Sequence, residues 1–447
     1  MRRYWRLGPR HDGGGIPNWA IPMVYVTVVS VFAFVLPRIE RSYLASLTID
    51  VSLSSAVTFF STVASGVMAL TAMVFTIAFV MVQFSTVAYS PRLVAMFVED
   101  PRLYHTLGVF FATFTYALSA IMWTDRGGSG TVPLFSTMAV AMLTVASMLA
   151  FARLIHTLSD LQIQNVLHTI GAVGREVIHS MYRPITGEAE LVVEAGGAPA
   201  ALGQADQILV HAGGPRVVTD LEIPALVGLA ESADGVVVLD CAVGDTVFDG
   251  TTLLRVHGAR ARIREAALLK AIHLGGGRTY EQDPKYPLRL LVDIAIRALS
   301  PAVNDPTTAV QALDQIEDLL RRLGRLDLDI GKVRDAHGRL RVVIPVPTWQ
   351  DYLSLAFDEI RHYGTSSIQV LRRLRSALVA LEGSVAADAR RQDTRRYLSH
   401  LDLEVDSSDF DAQDRVLALQ QDRQGLGMAR EQAPASTATG PAIAPPH

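Results

Sequence analysis

The sequence predicts an α-helical membrane protein: four transmembrane helices followed by a cytoplasmic α+β region, itself a small β module and a helical domain. Three observations predict it. Four apolar stretches fill the first 155 residues, and each reaches the roughly 20 residues that a spanning helix needs. Short Val, Ile and Leu runs broken by Gly, Pro and Asp follow between 184 and 258, the composition of short strands. Beyond 262 the apolar residues return every three or four positions, as packed helices require.

Composition agrees with a chain of two regimes. Of 447 residues 50% are hydrophobic and only 19% charged, below the roughly 25% usual for soluble domains. Net charge is −4, from 40 basic and 44 acidic residues, so nothing in the balance points to a nucleic-acid partner. One cysteine, Cys241, excludes a disulfide within the chain and a Cys-rich metal site. The expected organisation is a basic cytoplasmic arm over 1–18, a four-span domain over 19–155 and a helical neck over 156–183. A β-rich module over 184–258, a mainly helical cytoplasmic domain over 259–430 and a disordered tail over 431–447 complete it.

The first span, 19–36, is closed by Pro37 and Arg38. Arg2, Arg3, Arg6 and Arg10 precede it in the manner of a signal peptide, but no small-residue cleavage site ends it, so it is expected to be retained. The second span opens the stretch 57–100. The third runs over 107–123 and the fourth over 132–154, joined by a short turn as an antiparallel hairpin. With the N-terminus inside, the inner side carries Arg2, Arg3, Arg6, Arg10, Arg92, Arg102 and Arg153, and the outer side Arg38, Arg41 and Arg126. Both termini are therefore expected in the cytoplasm. No Asp, Glu, Lys or Arg falls inside a span, which argues against a proton-coupled pump or a voltage sensor. His105 is read as interfacial.

The second span is unusually polar. Thr62, Ser65, Ala69, Ala72, Thr76 and Gln83 recur at helical spacing as one small-and-polar row. Two readings are open. Small residues allow helices to approach closely while hydroxyls bond back to their own carbonyls. Alternatively the row faces water or lines a pore, where Thr and Gln oxygens replace part of an ion's hydration shell.

In the neck, Leu154, Leu158, Leu161, Val166, Ile170, Val173 and Val177 continue a helical pattern, and the spacing of His156, His168 and His179 is not that of metal ligands on one helix. The stretch 234–258 resembles half of a biotinyl/lipoyl-type barrel-sandwich, with turns at Gly244-Asp245 and Asp249-Gly250. It lacks the lysine that such a carrier modifies, so no covalent cofactor is expected. A short helix is expected over 221–233 and another over 262–275, stopped by Gly275-Gly276-Gly277, which lacks the residues of a phosphate loop. A helix over 287–299 then ends at Ser300-Pro301. Asn304 or Asp305 can cap the next helix, with Pro306 in its first turn and Val310, Leu313, Ile316, Leu320 and Leu323 along one face. An exposed helix start can also bind an anion, and Asp283, Asp293 and Asp305 are candidates to meet at a cation; capping and packing explain the same residues. Arg372, Arg373 and Arg375 read as a solvated helix face, with acidic lipid head groups as the alternative.

Three segments carry a family resemblance. Residues 84–118 (FSTVAYSPRLVAMFVEDPRLYHTLGVFFATFTYAL), 297–320 (RALSPAVNDPTTAVQALDQIEDLL) and 357–374 (FDEIRHYGTSSIQVLRRL) resemble the bacterial predicted membrane proteins grouped as domain of unknown function 2254. The resemblance implies an integral inner-membrane protein of unassigned activity and transfers no catalytic residue. It marks Ser90, Pro91, Arg92, Asp100, Asn304, Asp305 and Pro306 as family-motif or ligand positions. The expected function is an oligomeric channel or passive transport protein with a cytoplasmic assembly and gating domain. The alternative is a non-conducting scaffold or sensor whose cytoplasmic part binds a small anion or a protein. No nucleophile elbow, Walker loop, dinucleotide fingerprint or His-rich metal set is present, so neither an enzyme nor a cofactor is expected. Expected partners are the lipid bilayer, further copies of the chain and a small ion or anion, with no nucleic acid.

Overall fold

The computed structural model describes residues 17–43, 48–49, 52–88, 101–125, 132–159, 163–185 and 202–427. The described residues fall into two compact units, one up to residue 166 and the other from residue 167 onward.

The first unit is built from α1 (Ile21–Tyr43), α2 (Leu53–Ala88), α3 (Pro101–Asp125) and α4 (Leu134–Ser159). All four are long and apolar enough to cross a membrane. Pro101 stands at the first position of α3, where its missing N–H costs no hydrogen bond. That helix is the hub and packs against the other three. Phe60, Val74, Phe110, Ala117 and Val140 form the buried centre. Gly108 lets α1 approach, since a Cβ there would lie 2.7 Å from the Tyr25 ring. Thr113 and Ser147 share a 2.8 Å hydrogen bond between α3 and α4. Trp19, Phe32, Phe79, Met142 and Leu149 face outward, as helices solvated by lipid require.

Helix α1 does not stop at Pro37-Arg38, as the sequence suggests; Pro37 lies inside it. The hydrogen bond that proline forfeits is offset by an anchor one turn later. Glu40, 4% exposed, accepts bonds from Phe135 N (2.8 Å) and from Ser136 N and Oγ (3.4 and 3.1 Å) at the start of α4. Nearby, β1 (Thr48–Ile49) and β2 (Val132–Pro133) pair antiparallel.

In the second unit, α5 (Ile163–Met181) leads to β3 (Arg183–Pro184), then β4 (Ala205–Val210), β5 (Arg216–Leu221) and α6 (Ile223–Ser232). Strands β6 (Val236–Leu239), β7 (Thr246–Val247) and β8 (Thr252–His257) are followed by α7 (Glu265–Lys270) and β9 (Ile272–Gly275). Next come α8 (Lys285–Ala298), α9 (Pro306–Leu323), β10 (Leu326–Asp327), β11 (Lys332–Arg334) and β12 (Leu340–Val343). Helices α10 (Trp349–Gly364), α11 (Ile368–Ser384), α12 (Asp388–Ser407) and α13 (Ala412–Ala418) close the described chain.

Three sheets result among the described residues of this unit. The largest has strand order β11-β12-β6-β8-β4, antiparallel except for β12 against β6; a second has order β7-β5-β9, and β3 pairs antiparallel with β10. Val218, Leu226, Val237, Leu253, Val256, Leu268 and Val342 belong to one core with the first two. Gly244 and Gly250 take φ of 91° and 82° at the turns, a region a side chain disfavours.

The structure differs from the sequence reading at several elements. The largest sheet takes two strands from 332–343, beyond the expected module. Residues 272–275 pair with β5 and so form a strand, where the pattern suggests the tail of a helix. The stretch expected as a neck contains α5, which packs on α9: a Cβ at Gly174 would lie 2.8 Å from Leu319 Cδ1, and Arg175 pairs with Asp318 at 3.1 Å. Finally, Arg372 and Arg373 are 2% and 5% exposed, so they are not a solvated face. Arg373 is bonded to Asp314 (2.8 Å) and Glu317 (2.6 Å) on α9, Arg375 to Asp402 on α12, and Arg372 to the Gly427 carbonyl (2.8 Å).

Candidate functional site

The polar row of the second span sits on α2. The buried face of that helix is Ala56, Phe60, Val63, Ala64, Val67, Thr71 and Val74. Thr62, Ser65, Ala69, Ala72, Thr76 and Gln83 are all exposed. At about 100° per residue the two rows lie on opposite sides of the helix. Packing inside this four-helix bundle therefore does not use the polar row; the apolar row does that.

The hydroxyls are locally satisfied. Thr62 Oγ1 donates to the Thr58 carbonyl at 2.7 Å, Ser65 Oγ to Ser61 at 2.7 Å and Thr76 Oγ1 to Ala72 at 3.1 Å. Each O–H is thus turned back on its own helix, and what remains outward are oxygen lone pairs. The row offers acceptors along an uncharged face. Ser54, Ser55, Thr58 and Ser61 extend it toward the start of the helix, all exposed. His105 bonds Tyr25 through Nδ1 and the phenol oxygen at 3.2 Å, which makes it a link between α1 and α3. Ser90, Pro91, Arg92 and Asp100 lie outside the described residues.

In the second unit, Asn304 adopts φ 48°, a left-handed conformation that asparagine tolerates. The next residue, Asp305, caps α9 by accepting from Thr308 N (3.1 Å) and Thr308 Oγ1 (2.6 Å), with Pro306 at the first helical position. This motif builds a helix start, with the Asp305 carboxylate engaged on Thr308 N.

Asp283, Asp293 and Asp305 each serve a different local partner rather than one cation. Asp293 pairs with Arg289 at 2.7 Å. Asp283, with a side chain 1% exposed, lies 3.9 Å from Arg278 Nε. Burial pushes its carboxyl above the usual range, against the pull of Lys285 and Arg278. Those two cations donate to the carbonyls of Val243 (3.1 Å) and Gly244 (2.9 Å), so they stitch the 243–244 turn to the start of α8 and the segment before it. Tyr182 and Tyr352 share a buried 2.8 Å hydrogen bond, and burial raises both phenols above their ordinary value. The one set of three metal-ligand side chains that converges among the described residues is Asp220 on β5, Glu222 just after it and His273 on β9. Sequence spacing gives no sign of it, because His273 reaches the acids only through strand pairing.

Four apolar helices in one unit and a mixed sheet-and-helix second unit define a multi-span membrane protein with a large non-membrane part. The chain belongs to the family described as "Predicted membrane protein (DUF2254)", whose model matches residues 17–380. It is 27% identical over 357 residues to an uncharacterized protein of Mycobacterium bovis and to one of Mycobacterium tuberculosis, covering 77% of this chain and 67% of each relative. No solved structure matches the chain.

Proposed function

We propose that this is an integral inner-membrane protein with a passive role: copies of the membrane unit assemble into an oligomeric channel or passive transport protein. In each copy α2 turns its polar row toward a shared, water-filled path. The observation that carries this reading is the position of the row on the side of α2 opposite its bundle-packing face. Lipid gains nothing from such a face, whereas water or an ion does. Because the hydroxyl protons are engaged by backbone carbonyls, the face presents acceptors and suits a small cation or water better than an anion. The 167–447 unit serves assembly and gating, and the excess of arginines on one side of the spans supports a topology with both termini in the cytoplasm.

Current through purified full-length protein in planar bilayers is the test. Conductance that prefers cations, and that falls by about tenfold or more when Thr62, Thr76 and Gln83 are replaced together by Val, Val and Leu, supports the pathway. Silence under varied ion, pH and tension, or unchanged conductance of the triple variant, overturns it in favour of a non-conducting scaffold.

A further inference from the structure

Strand β5 ends in Val218-Thr219-Asp220-Leu221, and Glu222 follows directly. Asp220 lies on β5 and Glu222 stands at the N-cap position of α6; Leu221, 1% exposed, points into the core between them, and the two acids converge on the outer side. The ladder to β9 shifts between Val218 and Asp220, pairing Val218 with Leu274 and Asp220 with His273. Thr219 is the extra residue of this bulge, which re-aims the acid that follows it. Ile272 is buried, so His273 also stands on the outer face, directly across from Asp220.

Three ligand atoms converge there. One atom each from Asp220, Glu222 and His273 all lie within 4.8 Å of one another, and His273 Nε2 is 3.6 Å from Glu222 Oε1. Two ligands on a tetrahedral ion with bonds of about 2.0–2.1 Å stand about 3.3 Å apart, so modest side-chain rotation closes the set. Asp220 Oδ1 is sealed from solvent and accepts no hydrogen bond. Burial raises its carboxyl above the usual range; Glu222 and Glu281 add to the rise, and His273 and the Leu221 backbone N–H oppose it. A carboxylate oxygen shielded from water beside further carboxylates is a place where a bound cation is favoured.

The backbone under the set is held firmly. Gln282, 3% exposed and at φ 52°, clamps Leu221 from both sides: its Oε1 accepts from Leu221 N and its Nε2 donates to Leu221 O, each at 3.2 Å. Glu222 N donates to the Ala271 carbonyl at 2.9 Å, and Thr219 Oγ1 to the His273 carbonyl at 3.2 Å. Ligand-bearing positions fixed by their own supports are what a preorganised site requires.

We propose that Asp220, Glu222 and His273 bind one first-row divalent transition-metal ion, of the Zn²⁺ class, at an open three-ligand site on the β5–β9 sheet face. An imidazole with two carboxylates favours Zn²⁺, Mn²⁺ or Fe²⁺ over Mg²⁺ and Ca²⁺, which prefer all-oxygen ligands. The sole thiol, Cys241, is buried and donates to the Leu253 carbonyl, so the set has no sulfur member. With His273 about half exposed and Glu222 a third exposed, an ion has access from solvent and keeps a position for water. This site does not depend on the proposed membrane pathway.

The experiment titrates full-length, chelator-stripped protein in detergent with Zn²⁺ by calorimetry and with Co²⁺ by visible absorption. One ion per chain is expected, with cobalt bands typical of nitrogen-and-oxygen coordination. His273→Ala should weaken Zn²⁺ binding by at least about 100-fold, since loss of outer-shell partners alone costs 10- to 100-fold. Asp220→Asn should do the same, and Glu265→Gln on the exposed start of α7 should change nothing. His273 sits at the surface, so the metal-free melting curve of its variant should match the parent and separate ligand loss from misfolding. If Asp220→Asn fails to fold, Glu222→Gln replaces it. Parent-like Zn²⁺ affinity in His273→Ala, or Mg²⁺ binding the parent as tightly as Zn²⁺, overturns the assignment.

Discussion

Single carboxylates hold several distant joints of this chain, and their environments set opposite expectations. Asp305 caps α9, and Asp305→Ala should cost about 1 kcal/mol in chemical unfolding followed through tryptophan fluorescence, with Asp305→Asn recovering most of it. Arg341, only 7% exposed, binds Asp335 at 2.8 Å and Asp234 at 3.1 Å. Hydrogen bonds from this guanidinium hold both carboxyls below the ordinary range. A depressed folded-state value means the stabilisation is complete above the unfolded value, near pH 4, and is lost as the pH falls through the folded one. The melting temperature should therefore drop steeply on acidification below about pH 4. Arg341→Leu should flatten that acid limb while lowering the neutral-pH melting point, because Asp335 is left buried and unpaired. A parallel acid limb in the variant would show that other groups carry the effect.

At the scale of elements, the joints lie where two helices touch through small residues. Gly174 on α5 meets Leu319 and Pro287, so Gly174→Leu should force α5 off α9 and lower the melting point by several degrees, on the order of 1–3 kcal/mol of overpacking. Gly228 on α6 has open space around its Cβ position, and Gly228→Ala should be neutral or slightly stabilising. These contrasts also explain what sequence alone revealed. The spans were legible because a bilayer demands long uninterrupted apolar helices, and α8–α11 because their buried faces repeat every three or four residues. The parallel pairing of β12 with β6 was not, since about a hundred residues separate the two strands and only the fold brings them together. Residues 272–275 continue a helical-looking run, yet pairing with β5 overrides local preference. Arg372 and Arg373 look solvated until Asp314 and Glu317 of α9 arrive beside Arg373. The polar row was legible as a row; its direction was not, because only the positions of α3 and α4 tell the two sides of α2 apart. The Asp220–Glu222–His273 set needed the β5–β9 register before it existed at all.

For the whole molecule the decisive question is what covers the polar face of α2. A hydroxyl row turned to lipid is tolerated when each O–H bonds its own helix, but small residues on that face also permit a second helix to approach closely. If copies assemble through or around this face, Ala69 of neighbouring copies comes within crosslinking reach. Ala141 is equally exposed, on α4, and serves as a lipid-facing reference; Ala117 on α3 is fully buried. The native thiol does not interfere, since Cys241 is 3% exposed and burial pushes it up to about 12, which leaves almost no reactive thiolate at neutral pH. Oxidative crosslinking in native membranes should therefore give covalent dimers or higher species with Ala69→Cys, and none above background with Ala141→Cys or Ala117→Cys. Equal yields at 69 and 141 would mean random collision in the bilayer, and the face would then have no partner copy. Crosslinking confined to position 69 places the acceptor row at the centre of an assembly, where the conductance of the triple Thr62, Thr76 and Gln83 variant distinguishes a hydrated path from a dry helix contact.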